Sequence, residues 1–186
     1  MTTYTKLYDF FPEDLFTEIL HNAENGTETT MEHPDMPLIL DVDSYNKGTK
    51  IHDYIDKFFD ELGYNTEKST CRLQGTKPGA EYKPHKDTPS KVVTLLIYVK
   101  GKEGTTFYED VKGKHHETWN EGCPKAEWGI NPTVDTFTPN AGYWFDRDSQ
   151  PWHSYWNTQE TIRWVFMYNI QDTGAYTSVG RDTPSK

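Results

Sequence analysis

Cysteine is almost missing from this 186-residue chain, with only Cys71 and Cys123 and no CxxC spacing between them. Two cysteines make no disulfide framework, and a single Cys71–Cys123 bridge is allowed but not required. Long apolar runs are missing too. None approaches the roughly 20 residues of a membrane helix, and no secretory h-region opens the sequence. A reducing cytoplasm is the default compartment. Clustered positive charge is also missing, since no two Lys or Arg residues are adjacent. With 29 acidic against 19 basic side chains the formal charge is -10. Such a balance repels phosphate backbones, so nucleic acid is a poor partner.

Aromatic residues, by contrast, reach 15%, many in β-favouring company such as Tyr143-Trp144-Phe145. They provide the apolar surface that a disordered chain lacks. The total hydrophobic share of 34% suits a thin core better than a large helical bundle.

The first 70 residues read as helical support. Pro12 suits a first helical position and Glu13-Asp14 its positive end, ahead of Leu15, Phe16, Ile19 and Leu20. Ile51, Tyr54, Ile55, Phe58, Phe59 and Leu62 recur at helical spacing, with Gly63 as the stop. Between the two helices the chain is polar, apart from a short strand within 37–43.

After residue 70 the pattern changes to strands. Val92 to Val99 is β-branched and apolar, and Thr105–Glu109, Val134–Thr138, Tyr143–Phe145, His153–Trp156 and Thr161–Ile170 follow. Residues 111–132 form a long Gly/Pro-rich insertion, and 172–186 a loose polar tail. Helices followed by many short strands predict one domain over 1–186, mainly β (α+β), with a sandwich or jelly-roll core over 71–171.

His-x-Asp/Glu occurs at His33/Asp35, His85/Asp87 and His115/Glu117. In a strand that spacing puts both side chains on one face. Context favours His85/Asp87, which follows a Lys77-Pro78-Gly79 turn and precedes the best strand in the chain. A mononuclear iron(II) site needs two histidines and one carboxylate with positions left open, so the third ligand must come from a distant strand. His153 is the candidate. Ten residues later Arg163 opens a strand that otherwise reads as buried. A guanidinium is costly there unless it meets an anion, and its fork suits a carboxylate.

The set His85-Lys86-Asp87, His153 and Arg163 resembles the iron(II)/2-oxoglutarate-dependent oxygenase superfamily, especially its prolyl-hydroxylase-like branch. The likeness covers roughly residues 70–171. It implies a double-stranded β-helix, the jelly-roll barrel also seen in cupins. It assigns iron to His85, Asp87 and His153, and the distal carboxylate of the 2-oxoglutarate cosubstrate to Arg163, joined by Tyr98. Gly142 matches the family's turn before its penultimate long strand, and Tyr82 a tyrosine ahead of the metal motif. The chain departs from the pattern where Gly104-Thr105 replaces a glycine pair. It departs again where Arg72 and Gln74 stand in the region of a second tyrosine.

The implied activity is hydroxylation of a C–H bond in a peptide, amino acid or small molecule, releasing succinate and CO2. Ascorbate would serve as an accessory reductant, and the protein would act as a monomer or homodimer. Asp87 separates the chain from related iron halogenases, which lack that carboxylate. Two other classes stay open, a non-catalytic cupin-like binding protein and a zinc-dependent hydrolase, although neither needs Arg163. Arg72 and Arg147 are ordinary candidates for ion pairs, within reach of a substrate carboxylate. Trp144 and Trp152 are mainly core candidates that could line the mouth of the site. The 111–132 insertion, with Trp119, Trp128, Glu117, Glu121 and Glu127, is expected to cover it.

Overall fold

The computed structural model describes residues 4–25, 29–30, 39–42, 45–88, 90–111 and 129–172. The chain runs through β1 (Thr5–Leu7), α1 (Glu13–Asn25), β2 (Thr29–Thr30), β3 (Ile39–Val42), α2 (Lys50–Glu61), β4 (Ser69–Thr76) and β5 (Glu81–His85). It continues with β6 (Lys91–Lys100), β7 (Thr106–Tyr108), β8 (Asp110–Val111), β9 (Gly129–Ile130), β10 (Thr133–Val134), β11 (Gly142–Asp146), β12 (Trp152–Trp156) and β13 (Arg163–Gln171).

Both helices start where local chemistry favours it. Glu13 and Asp14 occupy the first turn of α1, where the helix dipole favours negative charge. The Thr49 side chain accepts the His52 N–H at the start of α2. Gly63 ends that helix with φ +89°, which a residue without Cβ adopts at no steric cost. One stripe of each helix is buried, through Leu15, Ile19 and Ala23 of α1 and Ile51, Ile55 and Phe59 of α2.

Among the described residues the strands form two antiparallel sheets and a small hairpin. The larger sheet has the order β1-β11-β6-β13-β4-β3-β2, the second β10-β7-β12-β5, and β8 pairs with β9. This is a mainly β jelly roll with two helices outside it. The period of two divides its interior cleanly. On β13, Trp164, Phe166, Tyr168 and Ile170 join the cluster under the helices. Val165, with Met167 against it, joins a second cluster with Leu96, Tyr98, Phe107, Tyr143 and Phe145, inside the barrel. Burying a side chain such as Phe166 contributes about 1.5–3 kcal/mol relative to exposing it. At Gly142 a Cβ would lie 1.9 Å from the Leu96 carbonyl oxygen, so only glycine lets β11 approach β6 this closely.

Three expectations need correction. The strand over Val134–Thr138 is reduced to Thr133–Val134. The chain leaves the sheet at Asp135, whose N–H donates to the Thr105 carbonyl while its carboxylate accepts from Tyr98. The first 70 residues are more than helical support, because β1, which no pattern announced, and β3, the strand expected within 37–43, extend both flanks of the large sheet. Finally, β4 is a central strand that no apolar pattern announced, since its sequence is STCRLQGT. The ends of the 111–132 insertion meet as β8 and β9. His115, Glu117, Trp119, Glu121, Cys123, Glu127 and Trp128 lie outside the described residues, as do His33, Asp35 and the tail from 173 onward. Among the described residues no helix is long and apolar enough to cross a membrane.

Candidate metal centre

The second sheet brings His85 and His153 together. β12 pairs antiparallel with β5, and the two histidines are direct partners in that register. Their rings are 4.3 Å apart between centroids. His85 Nδ1 lies 2.8 Å from the Lys83 carbonyl oxygen, and His153 Nδ1 lies 3.0 Å from that of Pro151. A carbonyl can only accept, so both Nδ1 atoms carry hydrogen and both Nε2 atoms keep a lone pair. Asp87 completes the group just beyond β5. One ligand atom from each of His85, Asp87 and His153 lies within 4.8 Å of the others.

The protonation states suit a cation. Burial, reinforced by the neighbouring His153, pushes His85 down to about 3. Burial also lowers His153. Both rings are thus neutral where metal ligands must be. Burial opposes ionisation of Asp87, but Lys91 and the two histidines outweigh it and hold the carboxyl well below the usual range. Lys91 Nζ is 3.0 Å from Asp87 Oδ1, and Thr94 donates to Oδ2. Thr94 Oγ1 also lies 3.2 Å from the Asn169 side-chain amide, tying the Asp87 loop to β6 and β13. Two lone-pair imidazoles and one fixed carboxylate match the donor set of a mononuclear iron(II) site.

Across the barrel interior, Arg163 is buried, with only 3% of its surface exposed. Its Nε donates to the Glu103 carbonyl at 3.0 Å and its Nη2 to Thr105 Oγ1 at 3.2 Å. The guanidinium lies 3.7 Å above the centre of the Tyr155 ring. Tyr143 donates to the same Thr105 hydroxyl at 3.0 Å, and burial lifts its phenol well above the ordinary value.

Tyr98 is also here, 5.3 Å from the guanidinium, but its hydroxyl serves other groups. It donates to Asp135 at 2.8 Å and accepts the Thr105 N–H at 3.0 Å. Asp135 is paired in turn with Lys6 of β1. Elsewhere Arg147 pairs with Asp172, while Arg72 pairs with Asp41 on the inner face of β4 and β3. Trp144 packs against the helix-side core. Trp152 lies beneath the Lys86 ammonium, 5.6 Å from its ring centre.

Strand alternation puts Thr94 on the face of Tyr98 and Asn169 on the face of Arg163, but their tie to Asp87 left no signal in the sequence. Lys91, Thr105 and Tyr143 carried no signal beyond their position on or beside a strand. Lys6 and Asp135, 129 positions apart, carried none at all.

No family model matches this sequence, and no curated protein matches it. Solved structures do. A prolyl-4-hydroxylase of Pseudomonas putida superposes with TM-score 0.61 at 14% identity, covering 94% of this chain and 95% of that one. A prolyl hydroxylase of Trichoplax adhaerens, in complex with a hypoxia inducible factor oxygen degradation domain peptide fragment, gives 0.61 at 13%, covering 92% and 84%. HygX of Streptomyces hygroscopicus, with nickel and 2-oxoglutarate bound, gives 0.62 at 6%, covering 95% and 86%. The chain has the fold of the 2-oxoglutarate/iron(II) oxygenases.

Proposed function

We propose that this protein is an iron(II)- and 2-oxoglutarate-dependent dioxygenase that hydroxylates a C–H bond. One observation carries the reading. A neutral His/Asp/His set and a buried arginine face the same barrel interior, with polar hydroxyls gathered at the arginine. A hydrolytic metal site has no use for that second cationic pole.

In this reading His85, Asp87 and His153 hold the metal, and Thr94 and Lys91 orient Asp87 from its two oxygens. Iron(II) supplies dioxygen activation, with the balance that C–H becomes C–OH while 2-oxoglutarate leaves as succinate and CO2. Arg163 receives the distal carboxylate of 2-oxoglutarate by charge-assisted hydrogen bonds. The hydroxyls of Thr105 and Tyr143 stand beside it. Tyr98 contributes by fixing the Thr105 amide, and it could donate to the carboxylate directly only by releasing Asp135. Leu96, Val165, Phe107 and Phe145 give this interior its apolar lining, with Phe107 and Phe145 beside the His153 ring.

The test is turnover. Purified protein with iron(II), 2-oxoglutarate and dioxygen should release succinate, followed by NMR. Exchanging iron for zinc, or replacing His153 or Arg163 with Ala, should abolish the release. Hydrolysis of an ester or amide panel by the zinc form, with no succinate from the iron form, would overturn the proposal.

A further inference from the structure

Arg72 and Asp41 stand on the inner face of the large sheet, in the part of the barrel that the metal and cosubstrate poles do not use. Their placement follows from register. Asp41 is the partner of Gln74, Gln74 of Val165, and Arg72 of Met167. Val165 and Met167 belong to the barrel interior. The intervening Leu40, Val42 and Leu73 face the helix side. Arg72 and Asp41 therefore share a concave surface with the site.

They are an ion pair, Nη1 to Oδ2 at 3.6 Å, with side chains only 18% and 11% exposed. That separation is wider than the roughly 2.7–2.9 Å of a charge-assisted hydrogen bond. Asp41 is steadied from its other oxygen, where Gln74 Nε2 donates to Oδ1 at 3.3 Å. Tyr82 of β5 donates to Gln74 Oε1 at 3.4 Å. The Tyr82 ring in turn lies 6.5 Å from that of His85. A polar line thus runs from a metal-ligand candidate across the gap between sheets to the charged pair. For the fold alone such a pair is a poor choice, because an apolar couple of similar volume would stabilise the interior at least as well.

We infer that Arg72 and Asp41 form the substrate subsite of the oxygenase, and that the substrate is a small zwitterion of the α-amino-acid type. The inference rests on the functional reading above. A substrate carrying only an anion would meet Arg72 but be repelled by Asp41, and a lone cation would meet the reverse. A molecule carrying a carboxylate and an ammonium on one carbon meets both charges at once. The same arrangement rejects singly charged competitors. Gln74 and Tyr82 hold Asp41 so that its Oδ2 is presented toward Arg72 and the ligand.

The test uses the full chain loaded with nickel(II) and 2-oxoglutarate. The probes are the free L-α-amino acids, their N-acetyl and amide derivatives, and short capped peptides. Binding is read by calorimetry, and with iron(II) the stimulation of succinate release above the substrate-free rate is read in parallel. At least one free amino acid should bind, and capping either end should weaken it at least tenfold. Arg72→Gln and Asp41→Asn should each weaken it at least tenfold, leaving 2-oxoglutarate affinity unchanged. The double exchange Arg72→Asp with Asp41→Arg retains an ion pair for the fold, and melting verifies that. It should still abolish binding, since the charges are transposed relative to the metal. Full binding by the transposed variant, or equal binding of capped and free probes, would overturn the inference. So would preference for capped peptides, or 2-oxoglutarate turnover that no free amino acid stimulates. Failure to bind 2-oxoglutarate at all would instead overturn the functional reading.

Discussion

His85 and His153 face one another across adjacent antiparallel strands, and each anchors its Nδ1–H on the carbonyl two residues before it. The symmetry has a chemical result. Both rings are locked in one tautomer with Nε2 available, which a metal needs and which a free histidine adopts only part of the time. The strand pairing that brings the rings within 4.3 Å thereby also sets their ligand atoms.

Removing one ring should remove the metal. His153→Ala leaves a histidine and a carboxylate, and stoichiometric iron(II) binding should be lost in an anaerobic titration. Retention of full stoichiometry would show that the third ligand lies elsewhere.

Arg163→Ala should leave iron(II) affinity unchanged but weaken 2-oxoglutarate by about 2–5 kcal/mol, because it removes a buried charge-assisted pair. Anaerobic titration of the metal-loaded protein with 2-oxoglutarate reads both quantities. Equal affinity in the two proteins would exclude Arg163 as the carboxylate partner.

Tyr98→Phe separates two roles of a buried hydroxyl. Its bonds in the structure are to Asp135 and to the Thr105 amide. The variant should lose about 1–3 kcal/mol of stability in urea, the cost of leaving buried polar groups short of a partner. It should lose only about 1 kcal/mol of 2-oxoglutarate affinity. A loss of affinity as large as that of Arg163→Ala would show that Tyr98 binds the carboxylate directly.

Acid should destabilise the metal-free protein early. His85 is held at about 3 against an ordinary value of 6.5, and His153 is lowered as well. Below pH 6.5 the unfolded chain therefore binds protons that the native one refuses, and stability falls with pH through that window. Asp87 acts in the same direction, its contribution being present above its ordinary value of 3.8 and lost as pH falls below it. The melting temperature of metal-free wild type should fall from about pH 7 to about pH 5. The His85→Ala/His153→Ala double variant should show a clearly smaller fall. Equal slopes would place the titrating groups elsewhere.

The sequence by itself determined the chemistry of the two poles and the period of the walls. His85-Lys86-Asp87 is a local motif, and the alternation along Arg163–Ile170 sorts its own side chains into barrel and helix faces whatever they meet. The apolar run of β6 and the stripes of both helices were legible for the same reason, being periodic over a few residues. Tertiary structure decided what periodicity cannot carry. β4 is polar and became a central strand because β3 and β13 flank it and satisfy its backbone. The turn at Asp135, its pairing with Lys6 and the diversion of the Tyr98 hydroxyl depend on segments far apart in the chain. So does the placing of Arg72 against Asp41. Such contacts are chosen by which strands become neighbours, and that choice belongs to the closure of the barrel rather than to any stretch of residues.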